Sequence, residues 1–240
     1  MEKIYYDDDN FALRAPDSLK IITDDLIKVL NERISFYKLL FNVSSFRKVQ
    51  INYFDDIEKF REFIYDIRKE NKSLPKYAKG TFDGGMINSY ANLKDTTLEK
   101  IIYRTSHELF HIMYKEIVWQ GNYDRIIWFD EGMAQFFSGE NDKLKDDNSF
   151  YNWFNDVIKN TKVIPKLNEL KHNYNFETNE YSGYRLSYLA VKYLFKVLGY
   201  ENFKSLIINN DKILKYGDTI LEEAINYYKE RVNNFDKSKK

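Results

Sequence analysis

Residues 107–111 read His-Glu-Leu-Phe-His, and residues 128–134 read Trp-Phe-Asp-Glu-Gly-Met-Ala. These two stretches decide the fold, because they predict two helices that carry the parts of one metal site. Side chains four residues apart leave the same face of a helix, so the imidazoles of His107 and His111 can meet one metal ion. Glu108 lies about 100° further round the helix. Its carboxylate can therefore accept a proton from a water molecule held at that ion.

The first of these helices is predicted to pack into a core. Apolar residues recur along it at helical spacing, at Leu98, Ile101, Ile102, Leu109, Ile112 and Met113. Polar side chains on such a helix need partners, because an unpaired buried polar group is costly. Two of the three histidines in the chain lie here, and imidazole is a preferred ligand of Zn²⁺. The sequence therefore predicts zinc as the cofactor.

A catalytic zinc ion needs a third protein ligand and an open fourth position, and Glu131 is the best candidate for that ligand. Glu116 and Asp130 are competing carboxylates. Glu116 falls at a poor helical offset from His111. Asp130 is adjacent to the proposed ligand and points elsewhere, so it would support a histidine or face solvent. Two other kinds of zinc site are excluded, because Ile117 stands where a third histidine would be needed and the chain has no cysteine.

The second stretch resembles the glutamate-bearing helix of the gluzincin zinc peptidases, a clan that contains aminopeptidases and the smaller peptidase MA-like proteins. Their W-x-x-E-G-x-A pattern matches Trp128, Glu131, Gly132 and Ala134. The two small residues would let this helix approach the metal-binding helix closely, and the tryptophan would wall the site. The resemblance implies a zinc peptidase in which Glu108 is the general base.

A further match lies before the metal-binding helix, where residues 84–88 lie over the aminopeptidase pattern G-A-M-E-N. In the family this element is a strand edge beside the substrate, so the resemblance implies that Gly84, Met86 and Asn88 bind substrate. As an edge strand it would pair with an extended peptide through main-chain hydrogen bonds. Ile87 replaces the glutamate that holds a free amino group, which favours an endopeptidase over an aminopeptidase. The alternative interpretation is a glycine turn before a buried strand.

The gluzincins also need a donor to the oxyanion that forms as water attacks the peptide carbonyl. In the family this donor is a tyrosine near the start of a downstream helix. Tyr184 fits best, because residues 181–199 are similar to the Y-x-x-S helix of the MA-like proteins, with its later glycine. Tyr181 is the second candidate, and His172 in the preceding polar loop is a third. Core packing explains a tyrosine here equally well, since the chain has 20 of them.

The whole pattern predicts an α+β fold that is mostly α and gluzincin-like. Residues 1–118 would form a small N-terminal α/β lobe that ends in the metal-binding helix. Residues 119–234 would form a helical C-terminal lobe that carries the third zinc ligand, with the zinc site flanked by the two lobes. Residues 235–240 would be a flexible tail. Helices are predicted over residues 16–40, 55–69, from 96 or 97, from 124, and over 148–160, 184–198, 201–208 and 219–232, with a strand over 48–54.

Composition limits the partners and the location. Lys plus Arg number 37 and Asp plus Glu number 37, so no basic surplus points to nucleic acid. Residues 1–9 lack the apolar core of a signal peptide, and no stretch is long enough to cross a membrane. We therefore expect a cytoplasmic enzyme acting on a peptide or protein substrate, or a secreted one if a leader has been removed. The alternative is a catalytically inactive gluzincin-fold module that binds peptides. Nothing in the sequence predicts an oligomeric state.

Overall fold

A computed structural model of the chain describes residues 3–68, 79–83, 85–121, 124–144, 146–172 and 174–238. The fold is α+β and mostly helical, as predicted. It divides into two compact units, Met1–Glu116 and Ile117–Lys240. The three predicted segments, with their boundaries at residues 118 and 234, stay a prediction. No helix in the described part of the chain is both long enough and apolar enough to cross a membrane.

The first unit is built on a mixed β-sheet. Its strands in the described residues are β1 (Lys3–Asp7), β2 (Phe11–Ala15), β3 (Val49–Phe54), β4 (Gly80–Asp83) and β5 (Met86–Tyr90). Its helices there are α1 (Thr23–Phe41), α2 (Ile57–Arg68) and the part of α3 (Leu98–Gln120) up to Glu116. The sequence did not predict β1 and β2. They are joined by a turn in which the Asp8 carboxylate accepts hydrogen bonds from the N–H groups of Asn10 and Phe11, a turn chemistry that the run Asp-Asp-Asn could have indicated.

The order of strands in the described sheet is β1-β2-β3-β5-β4. β2, β3 and β5 are parallel, whereas β1 and β4 pair antiparallel to their neighbours. β5 therefore has a partner on both sides, and the prediction that residues 86–88 belong to an edge strand is wrong. In the described sheet the edge strand on this side is β4, and β1 is the edge strand on the other side. The predicted glycine turn is confirmed at Gly85, which joins β4 to β5 with a φ of 84°.

The two faces of the sheet carry different helices. On one face the Tyr53 hydroxyl lies 2.6 Å from Thr105 Oγ1 of α3, and the Tyr37 hydroxyl of α1 donates to the carbonyl of Ser106 at 3.2 Å. On the other face Phe54 and Tyr90 pack against α2 in one apolar cluster. The sequence prediction placed an N-cap for α2 at Asp55, but Asp56 accepts the first free N–H groups of the helix.

The second unit is helical in its described residues. Its helices are α4 (Ile127–Phe137), α5 (Asp147–Asn160), α6 (Gly183–Leu206) and α7 (Asn210–Ser238). α6 breaks at Gly199, where φ is 71°, so the two helices predicted over 184–198 and 201–208 are confirmed as its two segments. α7 begins at Asn210, well before the predicted residue 219, and it continues through Gly217. A Cβ at Gly217 would stand 2.0 Å from Asn168 Oδ1, so this glycine admits a neighbouring side chain.

Candidate functional site

The His-Glu-Leu-Phe-His motif lies on α3, as predicted, and its two histidines face each other. The Nε2 atoms of His107 and His111 are 2.9 Å apart. His111 is buried, and His107 is half-buried. Two nitrogen ligands of a tetrahedral zinc ion stand about 3.3 Å apart, given Zn–N distances of about 2.0–2.1 Å. The two imidazoles are therefore close to the spacing that one zinc ion requires.

The core of the first unit fixes the part of α3 just before the motif. Thr105 Oγ1 donates to the carbonyl of Ile101 at 2.9 Å, so the hydrogen shared with Tyr53 comes from the tyrosine hydroxyl. Burial raises the pKa of Tyr53 well above its ordinary value, so this donor keeps its proton at neutral pH. Within the motif, the Phe110 ring packs edge-on against Tyr37 at 5.3 Å. These contacts hold the helix in register with the sheet.

The edge strand β4 runs beside the motif. Gly80 lies against α3, since a Cβ there would stand 2.7 Å from Arg104 Cδ and 3.7 Å from Glu108 Oε1. Further along the strand the Phe82 ring is 5.5 Å from the His111 ring. Arg104 Nη1 donates to the carbonyl of Lys79 at 3.2 Å, which ties the start of β4 to α3. The first unit thus places the general-base candidate next to an edge strand.

The residues predicted to bind substrate stand on β5 or before it. Gly84 lies outside the described residues. Met86 and Asn88 lie on the same face of the sheet as Tyr90, because side chains alternate along β5. Tyr90 packs against α2, so this is the face that α2 covers. Asn88 Oδ1 accepts a hydrogen bond from Asn52 Nδ2 at 2.8 Å. The side chains of Met86 and Asn88 are thus on the opposite face from α3, and their role in binding substrate stays a prediction.

The Trp-Phe-Asp-Glu-Gly-Met-Ala stretch lies on α4 and is wholly buried. Gly132 lets α4 approach α6 closely, since a Cβ there would stand 2.4 Å from the Ser187 carbonyl oxygen and 2.6 Å from Val191 Cγ2. The prediction that Gly132 allows approach to the metal-binding helix is therefore wrong about the neighbour, which is α6. Trp128 Nε1 donates to Asn168 Oδ1 at 3.2 Å. Both contacts fix the turn of helix that presents Glu131.

Glu131 is 4% exposed and lies among polar groups of its own unit. Its Oε1 atom is 3.0 Å from His172 Nε2 and 3.5 Å from Arg125 Nη2. Asp130 is fully buried and pairs with Arg125 through Oδ2. The predicted solvent exposure of Asp130 is wrong, and its carboxylate neutralises the arginine. Glu116, the other competing carboxylate, accepts a hydrogen bond from the Arg47 N–H at 3.0 Å.

The candidate oxyanion donors lie at the start of α6 and in the loop before it. Tyr184 is half-buried at the second position of the helix. Its ring packs edge-on against Phe176 at 4.8 Å and lies 6.3 Å from the His172 ring. Tyr181 precedes the helix, and burial raises its pKa. The sequence analysis named His172 as a third candidate donor to the oxyanion and did not predict its contact with Glu131.

Comparison with known proteins leaves the function open. No family model matches the chain. The chain is similar to an uncharacterized protein, L515, of Acanthamoeba polyphaga mimivirus, with 27% identity over 180 residues. The matched region covers 72% of this chain and 24% of the viral protein, so the chain spans about a quarter of that relative's length.

Proposed function

We propose that the protein is a zinc-dependent peptidase of the gluzincin type, with His107, His111 and Glu131 as the zinc ligands. The observation that carries the proposal is the pair of imidazole nitrogens 2.9 Å apart on α3, with the carboxylate of Glu108 on the same helix. His107, His111 and Glu131 also make up a group of side chains in the described residues that could hold a metal ion. The prediction of zinc rests on this donor set.

The chemistry of the donors fits zinc. Two imidazoles and one carboxylate form a ligand set of catalytic zinc sites, whereas structural zinc sites normally close four positions with protein ligands. Magnesium and calcium prefer oxygen ligands, and the absence of cysteine removes thiolates. When bound, zinc lowers the pKa of a coordinated water towards neutrality and polarises a carbonyl.

Two side chains take part in the proposed hydrolysis, and an ion pair lies beside the third ligand. Glu108 accepts a proton from the attacking water and passes it to the nitrogen of the leaving amine as the C–N bond breaks. Tyr184 donates a hydrogen bond to the carbonyl oxygen as negative charge develops there. The half-buried Arg125 pairs with the buried Asp130 beside Glu131, and the two charges balance each other within the second unit.

The edge strand offers a place for the substrate. In the described sheet β4 pairs with β5 alone, so its outer edge can pair with an extended peptide through main-chain hydrogen bonds. Gly80 and Phe82 of this strand lie next to Glu108 and His111. We therefore assign peptide binding to β4, where the sequence prediction assigned it to residues 84–88.

The position of Ile87 supports an endopeptidase. Ile87 is fully buried and stands where the aminopeptidases of the family carry a glutamate that holds a free amino group. An apolar side chain enclosed in the core offers no partner for an ammonium group. Cleavage within a peptide therefore suits this chain better than removal of its first residue.

The test is cleavage of a mixed peptide library by wild type and Glu108→Gln, with the zinc content of each determined. We expect zinc in both proteins and cleavage by the wild type alone, because glutamine cannot accept the proton. Glu99→Gln, an exposed change on the same helix, is the matched control and should cleave normally. A library made with free and with acetylated N-termini distinguishes an endopeptidase from an aminopeptidase, because only an endopeptidase cleaves both kinds of peptide.

Three results would contradict the proposal. Wild type without stoichiometric zinc would remove its basis. Cleavage by Glu108→Gln at the wild-type rate would remove Glu108 as the base. Zinc in both proteins with no cleavage by either would favour a module of the same fold that binds peptides without hydrolysing them.

A further inference from the structure

The loop that carries His172 has internal hydrogen bonds, and it places His172 in contact with Glu131. The loop lies between a short 3-10 helix, Leu167–Glu169, and α6. The Asn175 side chain spans it, accepting from the Lys171 N–H at 2.7 Å and donating to the Glu169 carbonyl at 3.0 Å. The His172 ring packs against Phe176 at 4.8 Å. The imidazole therefore has a defined place, with Nε2 3.0 Å from Glu131 Oε1.

A second group reaches the same oxygen at a longer distance. Arg125 Nη2 is 3.5 Å from Glu131 Oε1, at the limit of a hydrogen bond. The arginine is also engaged by Asp130 through its Nε atom. The His172 contact is the shorter of the two and comes from a ring that packs against Phe176, so it restrains the carboxylate more closely than a long contact from a flexible side chain. His172 Nε2 is thus nearer to Glu131 Oε1 than Arg125 Nη2 is.

We infer that His172 is a positioning residue, which orients the Glu131 carboxylate so that this glutamate can serve as a metal ligand. The inference rests on the proposed function, in which Glu131 is the third zinc ligand. This task differs from donation to the oxyanion, because Nε2 of His172 already contacts the glutamate. A neutral imidazole that carries its proton on Nε2 can donate to a carboxylate oxygen at this distance.

The two roles differ in what a substitution changes. Loss of a residue that hydrogen-bonds a metal ligand typically lowers metal affinity or activity by about 10–100-fold. Loss of an oxyanion donor lowers kcat and leaves metal affinity unchanged, since that donor acts on the transition state. The dissociation constant for zinc therefore separates a positioning residue from a catalytic one without reference to turnover.

The experiment is competition for zinc between the protein and a chromophoric chelator, with circular dichroism to confirm folding. We expect His172→Ala to bind zinc about 10-fold more weakly or worse. His172→Gln should recover part of the affinity, because its amide can donate to the same oxygen. Tyr174→Ala is the matched control, since this residue lies in the same loop with 87% of its surface exposed, and it should bind zinc as wild type does.

The outcomes are distinct. Wild-type zinc affinity in a folded His172→Ala or His172→Gln, with zinc bound by the wild-type protein, would overturn the inference alone. Absence of zinc from the wild type would overturn the proposed function and the inference with it. Weakened binding by His172→Ala with partial recovery in His172→Gln would support the positioning role.

Discussion

Substitution of Gly132 by alanine tests whether the close contact of α4 and α6 determines the packing of the second unit. The added Cβ would stand 2.4 Å from the Ser187 carbonyl oxygen and 2.6 Å from Val191 Cγ2, roughly 1 Å inside ordinary contact at about 3.5 Å. Overpacking of this kind costs about 1–3 kcal/mol. We take the upper end, because a carbonyl within a helix cannot rotate away.

Alanine also favours a helix over glycine by about 1 kcal/mol, which offsets part of the cost. The free energy of unfolding should therefore fall by about 2 kcal/mol. For a chain of this size, that lowers the melting temperature by about 4–8 °C.

The measurement is thermal unfolding followed by circular dichroism. Lys196→Ala, an exposed change on α6, is the control and should melt as wild type does. Val191→Ala combined with Gly132→Ala should recover only part of the loss, because the Ser187 carbonyl oxygen remains in the way. If Gly132→Ala melts at or above the wild-type temperature, the contact does not limit the approach of the two helices.

Three further predictions follow from the same structure. Ile87→Glu should lower the melting temperature strongly, because a buried carboxylate without a partner is costly. It should give no activity on aminoacyl substrates with a free amino group, and a well-folded variant that gains such activity would refute this prediction. Asn168→Ala should lower the free energy of unfolding by about 1–3 kcal/mol, since the buried Trp128 N–H loses its acceptor; a denaturant titration with unchanged midpoint would contradict it. Removal of zinc by a chelator should abolish cleavage reversibly. The circular dichroism spectrum should stay unchanged, because both units have apolar cores of their own. A loss of helical signal would instead favour a structural zinc site.

The parts of the fold that could be predicted are those set by local patterns. The helical spacing of apolar residues predicted α3, which begins at Leu98 against the expected 96 or 97. The alternation in residues 48–54 predicted β3, and the glycine turn before residue 86 is present at Gly85. In each case the structure is determined by residues that are neighbours in the chain, so a single sequence is sufficient to predict it.

Strand order and helix contacts could not be predicted in this way. Whether residues 86–90 form an edge or an interior strand depends on the pairing of β4, which no pattern within β5 records. Gly217 lies inside α7, where it leaves room for the side chain of Asn168, which is far away in the sequence. The role of Gly132 was likewise assigned to the wrong helix. Small residues indicate a close approach without indicating the partner.

The same distinction explains which members of the candidate site were found. The spacing of His107 and His111 on one helix is a local rule, because a metal ion needs both imidazoles on one face. No local spacing predicts His172, because a residue that hydrogen-bonds or orients a metal ligand can come from any loop that the fold brings near it. A lone histidine in a polar loop gives no such signal, and the structure is needed to place its Nε2 atom 3.0 Å from Glu131 Oε1. If metal sites are generally built in this way, sequence motifs reveal the ligands, and the groups that orient them have to be sought in the folded structure.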